Sequence, residues 1–140
     1  MGMILDSSIL VAFERGKFDL PSLLTQHPSP AIAAITAAEL LVGVEWADTP
    51  ARRTQRSAIV EGIFAQMPVI PFDLPQARLH AVHLADLKRR GETIGDRDLQ
   101  IAVTALSLDF GIATLNVREF QRVTGVNLID VAAYAIPPSP

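Results

Sequence analysis

Cysteine is absent from all 140 residues, so neither a disulfide framework nor a thiolate metal site can exist, and the chain fits a reducing, cytoplasmic setting. Histidine is scarce: only His27, His80 and His83 occur. His80 and His83 form an H-x-x-H with no third soft ligand and without the H-E-x-x-H spacing of zinc proteases, so they read as part of an ordinary amphipathic helix. No apolar run reaches the length of a membrane span, and the opening MGMILDSSIL lacks a basic segment and carries Asp6 in its apolar stretch, which argues against a signal peptide. There is no excess of positive charge either. Twelve Lys and Arg against fifteen Asp and Glu leave a net charge of −3, which leaves room for local basic patches but not for a chain-wide phosphate-binding surface.

What is present is an alternation. Short apolar runs at Met3–Leu5, Ala31–Ile35, Val69–Phe72, Ile112–Leu115 and Leu128–Val131 are too short for helices and are bounded by Pro, Gly, Asp or Asn, so they are expected to be strands. Helical patterns fill the intervals: Ser8–Glu14, Leu20–Gln26, Thr36–Ala47, Pro50–Gln66, Pro75–Arg90, Leu99–Phe110 and Val117–Val123, with prolines near starts and Gly91, Gly111 and Gly125 past ends. Strands alternating with helices predict an α/β fold of three layers, α/β/α, around a mostly parallel sheet of about five strands. Residues 1–135 are expected to form one domain, and the tail 136–140, IPPSP, to hold no regular structure.

In an open parallel sheet, ligands bind outside the carboxyl ends of the strands. Asp6 ends the first strand, Glu39 lies one turn into the helix after the second, and Asn116 follows the fourth. In the segment Ile94–Leu106, IGDRDLQIAVTAL, Asp98 lies in the first helical turn and Ile101, Ala102 and Ala105 share its face, so a carboxylate stands at the mouth of a buried stripe. A buried helix leading into the fourth strand runs antiparallel to it and brings Asp98 to the same edge. Each polar residue also has a structural explanation. Thr36-Ala37-Ala38-Glu39 has the form of a capping box, Asn116 to Glu119 resembles the same device, and Asp6 and Asp96 are candidate helix caps. Convergence tips the balance toward function, because each pair of ionised carboxylates at about 4 Å repels by about 4 kcal/mol at an effective dielectric of 20, and a hard cation or a proton must relieve it.

The pieces MILDSSIL at Met3–Leu10, TAAELLVGV at Thr36–Val44, IGDRDLQIA at Ile94–Ala102 and ATLNVREF at Ala113–Phe120 together resemble the PIN-domain ribonucleases, and within them the VapC-like toxins of toxin–antitoxin pairs. The resemblance covers nearly the whole chain. It implies a PIN-like fold, RNA cleavage, Mg²⁺ or Mn²⁺ held by Asp6, Glu39 and Asp98, and a catalytic set completed by Asn116, where the family often has Asp. Asp96 is then an outer acid or only a cap. Ser8 and Thr114 match hydroxyls kept near the acids. Arg15, Arg97 and Arg118, which follow the acidic motifs, become candidate RNA-phosphate contacts. The implied partners are a homodimer and a VapB-like antitoxin wrapping the helices near Trp46, in keeping with a 49% hydrophobic composition. Two other readings fit the residues less fully: a catalytically silent PIN-like RNA-binding or protein-interaction module, and a phosphoryl-accepting domain using Asp6. The latter lacks a second Asp two residues on, where Ser8 stands.

Overall fold

The computed structural model describes residues 1–139. Its sheet has four parallel strands, β1 (Met3–Leu5), β2 (Pro30–Ala33), β3 (Val69–Ile70) and β4 (Gly111–Ala113), in the spatial order β3-β2-β1-β4. The central strand decides the layering. Met3 and Leu5 point into a core with Ile9, Leu10, Leu23 and Ile32, while Ile4 between them points into a second core with Leu87, Leu99, Ile101 and Ile112. All three residues of β1 have no exposed surface, and each such aliphatic side chain stabilises the fold by roughly 1.5–3 kcal/mol. Both faces of the sheet are therefore covered, as a strand apolar at every position requires.

Helices α1 (Ser7–Glu14), α2 (Leu20–Gln26), α3 (Ala34–Glu45), α4 (Pro50–Gln66), α5 (Leu74–Arg89), α6 (Asp96–Leu108) and α7 (Val117–Phe120) follow, with a closing 3-10 turn at Ala132–Tyr134. The buried face of α6 comprises Leu99 and Ile101 to Ala105. Its polar stripe does not face water. Thr104 Oγ1 donates to the Gln100 carbonyl at 2.7 Å and Ser107 Oγ to the Thr104 carbonyl at 2.7 Å, so both hydroxyls are satisfied inside their own helix beneath α5. Gln76 spans the seam, donating to Ser107 at 3.0 Å while its carbonyl oxygen accepts from the Asp73 amide at 2.9 Å.

Several expectations need correction. Four strands form, not five: Leu128 makes only an isolated parallel bridge to Ile112. The Ile129 amide still reaches the Ile112 carbonyl, but Asp130 Oδ1 then accepts from the Ala132 amide at 3.0 Å and turns the chain away. The second run stops at Ala33, and Ala34 and Ile35 are already helical. The third stops at Ile70, because Pro71 has no amide to give a neighbouring strand. Gly91 ends α5 in a left-handed turn as expected, but α6 ends at Asp109, whose φ of 55° is the one positive value at a non-glycine residue among the described residues. The Ile136 amide donates to the Lys17 carbonyl at 2.9 Å; beyond it no helix or strand forms through Ser139, and Pro140 lies outside the described residues.

Candidate active site

Asp6 is 1% exposed and is held by an arrangement that begins in the backbone after β4. The Leu115 amide donates to Ser8 Oγ at 3.0 Å and the Asn116 amide to Thr114 Oγ1 at 2.9 Å. Both hydroxyls then donate to the same Asp6 oxygen, Oδ2, at 2.7 and 2.8 Å. Two neutral hydroxyls thus carry the polarity of two amides to a carboxylate that has almost no contact with water, and Oδ1 is left free for another partner. Asp6 occupies the cap position of α1 but makes no side-chain cap bond, so the capping reading fails and the hydroxyl clamp replaces it.

Glu39 comes from α3. The proposed capping box there does not form: the helix begins at Ala34 with Ala33 at its cap, so Thr36 is already inside the first turn and Glu39 lies beyond it. Burial, opposed by Arg97 and reinforced by the charge of Asp6, raises the Glu39 pKa above the usual glutamate value. Arg97 NH1 stands 3.5 Å from Glu39 Oε2, which accounts for one of the three candidate phosphate-binding cations; Arg15 and Arg118 are exposed.

Asp98 lies in the first turn of α6, as expected, and its pKa is raised to about 6 by burial and then by the charges of Asp6, Glu119 and Glu39. Asp6 at the end of β1, Glu39 from α3 and Glu119 from α7 therefore all act on Asp98 in α6. Among the described residues no three His, Asp or Glu side chains stand close enough to grip one ion together. The donors suit a hard cation that keeps much of its hydration: all are oxygens, several are carboxylates in mutual repulsion, and Mg²⁺ takes one or two carboxylates directly while retaining several waters.

The remaining candidates separate. Asp96 opens α6 but does not cap it, Gly95 holding that position, and its exposed carboxylate meets His80 Nε2 at 3.3 Å and Gln100 Nε2 at 2.9 Å. Asn116 occupies the cap position of α7 without a side-chain cap bond and is exposed at the rim. Glu119, in the sequence the far half of a capping box, is the α7 acid whose charge reaches Asp98; the signal in the sequence is its place one turn beyond Asn116, the residue at the cap of α7.

An open parallel sheet with a hydroxyl-clamped carboxylate at the end of its central strand, acting with acids from α3, α6 and α7, defines the PIN-like α/β class. No family model matches the chain. Ribonuclease VapC1 of Rickettsia felis is 32% identical over 133 residues, spanning 95% of this chain and 98% of its own. The tRNA(fMet)-specific endonuclease VapC of Salmonella typhimurium is 36% identical over 100 residues, 71% of this chain and 73% of its own. The structure of VapBC-1 from nontypeable Haemophilus influenzae superposes with a TM-score of 0.82 at 28% identity, covering 93% of this chain and 98% of that one. The chain belongs to the VapC family of PIN-domain ribonucleases.

Proposed function

We propose that this chain is a metal-dependent endoribonuclease, the toxin of a toxin–antitoxin pair, that hydrolyses RNA phosphodiester bonds at the acidic edge of its sheet. The observation that carries the reading is buried Asp6, clamped by Ser8 and Thr114 at the carboxyl end of β1 and within electrostatic reach of Glu39 and Asp98. Asp6, through Oδ1, and Asp98 would hold Mg²⁺ or Mn²⁺ directly or through water, with Glu39 completing the site. A divalent cation there supplies Lewis-acid stabilisation of charge on the phosphate and acidifies a water.

The chain's own groups do the rest. Ser8 and Thr114 fix the orientation of Asp6, so the carboxylate does not have to reorganise when substrate arrives. Glu39 is placed to orient the attacking water, and the raised affinity of its carboxylate for a proton suits it to accept one. Asn116, at the rim, offers both a donor and an acceptor to a phosphate or ribose oxygen. Arg97, 69% exposed at its side chain, can leave Glu39 for an RNA phosphate, and the exposed Arg15 and Arg118 are further candidates for phosphate contacts.

The expected protein partner is a VapB-type antitoxin. A groove of about 790 Å³ bordered by Val11, Arg15, Trp46, Arg52, Arg56 and Ile59 lies between the end of α1, the end of α3 and the first half of α4. Trp46 is 81% exposed at its edge, an amphipathic anchor of the kind that dominates interfaces. A homodimer is expected as well. Among the described residues no helix is long and apolar enough to cross a membrane.

The test is incubation of the purified chain with structured RNA, with and without Mg²⁺ or Mn²⁺. Metal-dependent cleavage that disappears in Asp98→Asn supports the reading. Tight RNA binding without cleavage would replace it with a non-catalytic RNA-binding module.

A further inference from the structure

We propose that Arg122 is a positioning residue for the reaction, holding the approach to Asp98 and the carboxylate of Glu119 in one fixed arrangement; this rests on the nuclease reading above. Arg122 reads in the sequence as one of a loose cluster of basic residues facing solvent. The structure places it at a junction of three segments: the turn after α5, the stretch leading into α6, and the turn after α7. Its NH1 donates to the Thr93 carbonyl at 2.7 Å. The same nitrogen stands 3.4 Å from Glu119 Oε1 and 3.4 Å from Oε2. Thr93 precedes the first residue of α6 by three positions and Asp98 by five.

Arg122 is held in turn. Its own carbonyl accepts from Arg90 NH2 at 2.6 Å. Arg90 is fixed by Asp86 Oδ2, which lies 3.1 Å from its Nε and 2.9 Å from NH2. Asp86 Oδ2 also accepts from Thr124 Oγ1 at 3.2 Å, which brings the far side of the same turn onto α5. Phe120 and Val123, 0% and 3% exposed, sink into the core on either side of Arg122. The turn is therefore pinned by packing and by polar bonds at once, and a long side chain on such a base loses little further freedom when it bridges two acceptors.

An isolated surface ion pair contributes little to a fold. Arg122 differs because one guanidinium nitrogen is shared by a backbone carbonyl ahead of Asp98 and by a carboxylate that acts on Asp98. Removing it releases both at once. It touches no reacting atom, so its effect on chemistry must pass through Glu119 and the α6 approach. A lysine keeps the charge and enough donors for both acceptors, but on a shorter stem and without the rigid planar group that fixes the direction of each bond, so it restores the arrangement only in part.

Three measurements on Arg122→Gln and Arg122→Lys test this. In metal-free protein, hydrogen exchange of residues 91–98 should quicken about tenfold in Arg122→Gln with α1 to α4 unaffected, and Arg122→Lys should fall between it and the parent. With RNA and Mg²⁺, kcat should drop about tenfold in Arg122→Gln while KM stays within about twofold, and Arg122→Lys should recover part of the loss. In a Glu119→Gln background, adding Arg122→Gln should cost less than it does in the parent, because part of its effect passes through Glu119. Unchanged exchange across 91–98, or losses in kcat that multiply between positions 119 and 122, would overturn the proposal. If exchange quickens but the parent cleaves no RNA under any metal, the nuclease reading fails while the structural tie of Arg122 to the α6 approach stands.

Discussion

Thr114 Oγ1 donates to Asp6 Oδ2 at 2.8 Å although 108 residues separate the two in sequence, and the same hydroxyl accepts from the Asn116 amide. One side chain thus closes two obligations at the centre of the site. Thr114→Val keeps the shape and removes the hydroxyl, leaving a buried carboxylate oxygen and an amide each short of a partner. Urea unfolding is expected to show a loss of about 1–3 kcal/mol, with Thr114→Ser close to the parent. RNA cleavage should fall with it, and a Thr114→Val variant as stable and active as the parent would refute the clamp.

Asp98 should make the metal-free protein less stable as pH rises. Its folded pKa of about 6 lies above the ordinary value of 3.8, so the folded state holds the extra proton between those values. Stability then declines as pH climbs through that window, and the penalty is complete above it. Full linkage would give about 3 kcal/mol, which solvent reaching the carboxyl reduces to about 1–2 kcal/mol. Asp98→Asn in chelator is therefore expected to melt roughly 3–8 °C higher than the parent at pH 7.5 and level with it near pH 3.5. Glu39, also raised, contributes with the same sign and persists in the variant.

The same variant reports on metal. Anything that binds only the folded state raises its melting temperature, so millimolar Mg²⁺ should lift the parent more than Asp98→Asn. Equal shifts in the two proteins would mean that Asp98 takes no part in holding the cation.

Thr36 Oγ1 is fully buried and is the one buried side-chain polar atom among the described residues without a hydrogen-bond partner. Thr36→Val removes that desolvated hydroxyl at constant shape and with similar helix propensity, and is expected to stabilise the protein by about 1 kcal/mol in thermal or urea unfolding. A loss of stability would show that the hydroxyl has a bound water or other partner.

Glu119 and Asn116 are expected to behave differently. Glu119→Gln removes a charge that acts on Asp98 and should lower kcat ~10- to 100-fold, in the range of residues that orient a metal site. Asn116→Ala removes an exposed rim amide and should appear mainly in KM for RNA. The reverse ranking, measured on one RNA at saturating Mg²⁺, would return Asn116 to the central place.

Much of the scaffold was legible because it rests on local patterns. The three apolar residues Met3 to Leu5, the Pro-led start of α4 at Pro50 and the apolar face of α6 each announce their element within a few residues. The errors fall where local patterns compete. Thr36-x-x-Glu39 has the letters of a capping box, but strand β2 hands over to helix two residues earlier, so the register of the cap is lost. Asn116-x-x-Glu119 has them too, yet α7 is a single turn whose ends are set by the burial of Phe120 and the pull of Arg122 on Glu119.

By itself the amino-acid order determined the alternation of strand and helix, the burial of both sheet faces and the presence of Asp6, Glu39 and Asp98 at strand ends, since periodicity and strand polarity are properties of neighbouring residues. Only the tertiary structure decided that Ser8 and Thr114 share one oxygen of Asp6, that the charge of Glu119 reaches Asp98, and that Arg122 binds Thr93 and Glu119 together. Those outcomes depend on distances between segments as much as a hundred residues apart, and such distances are set by how whole helices pack.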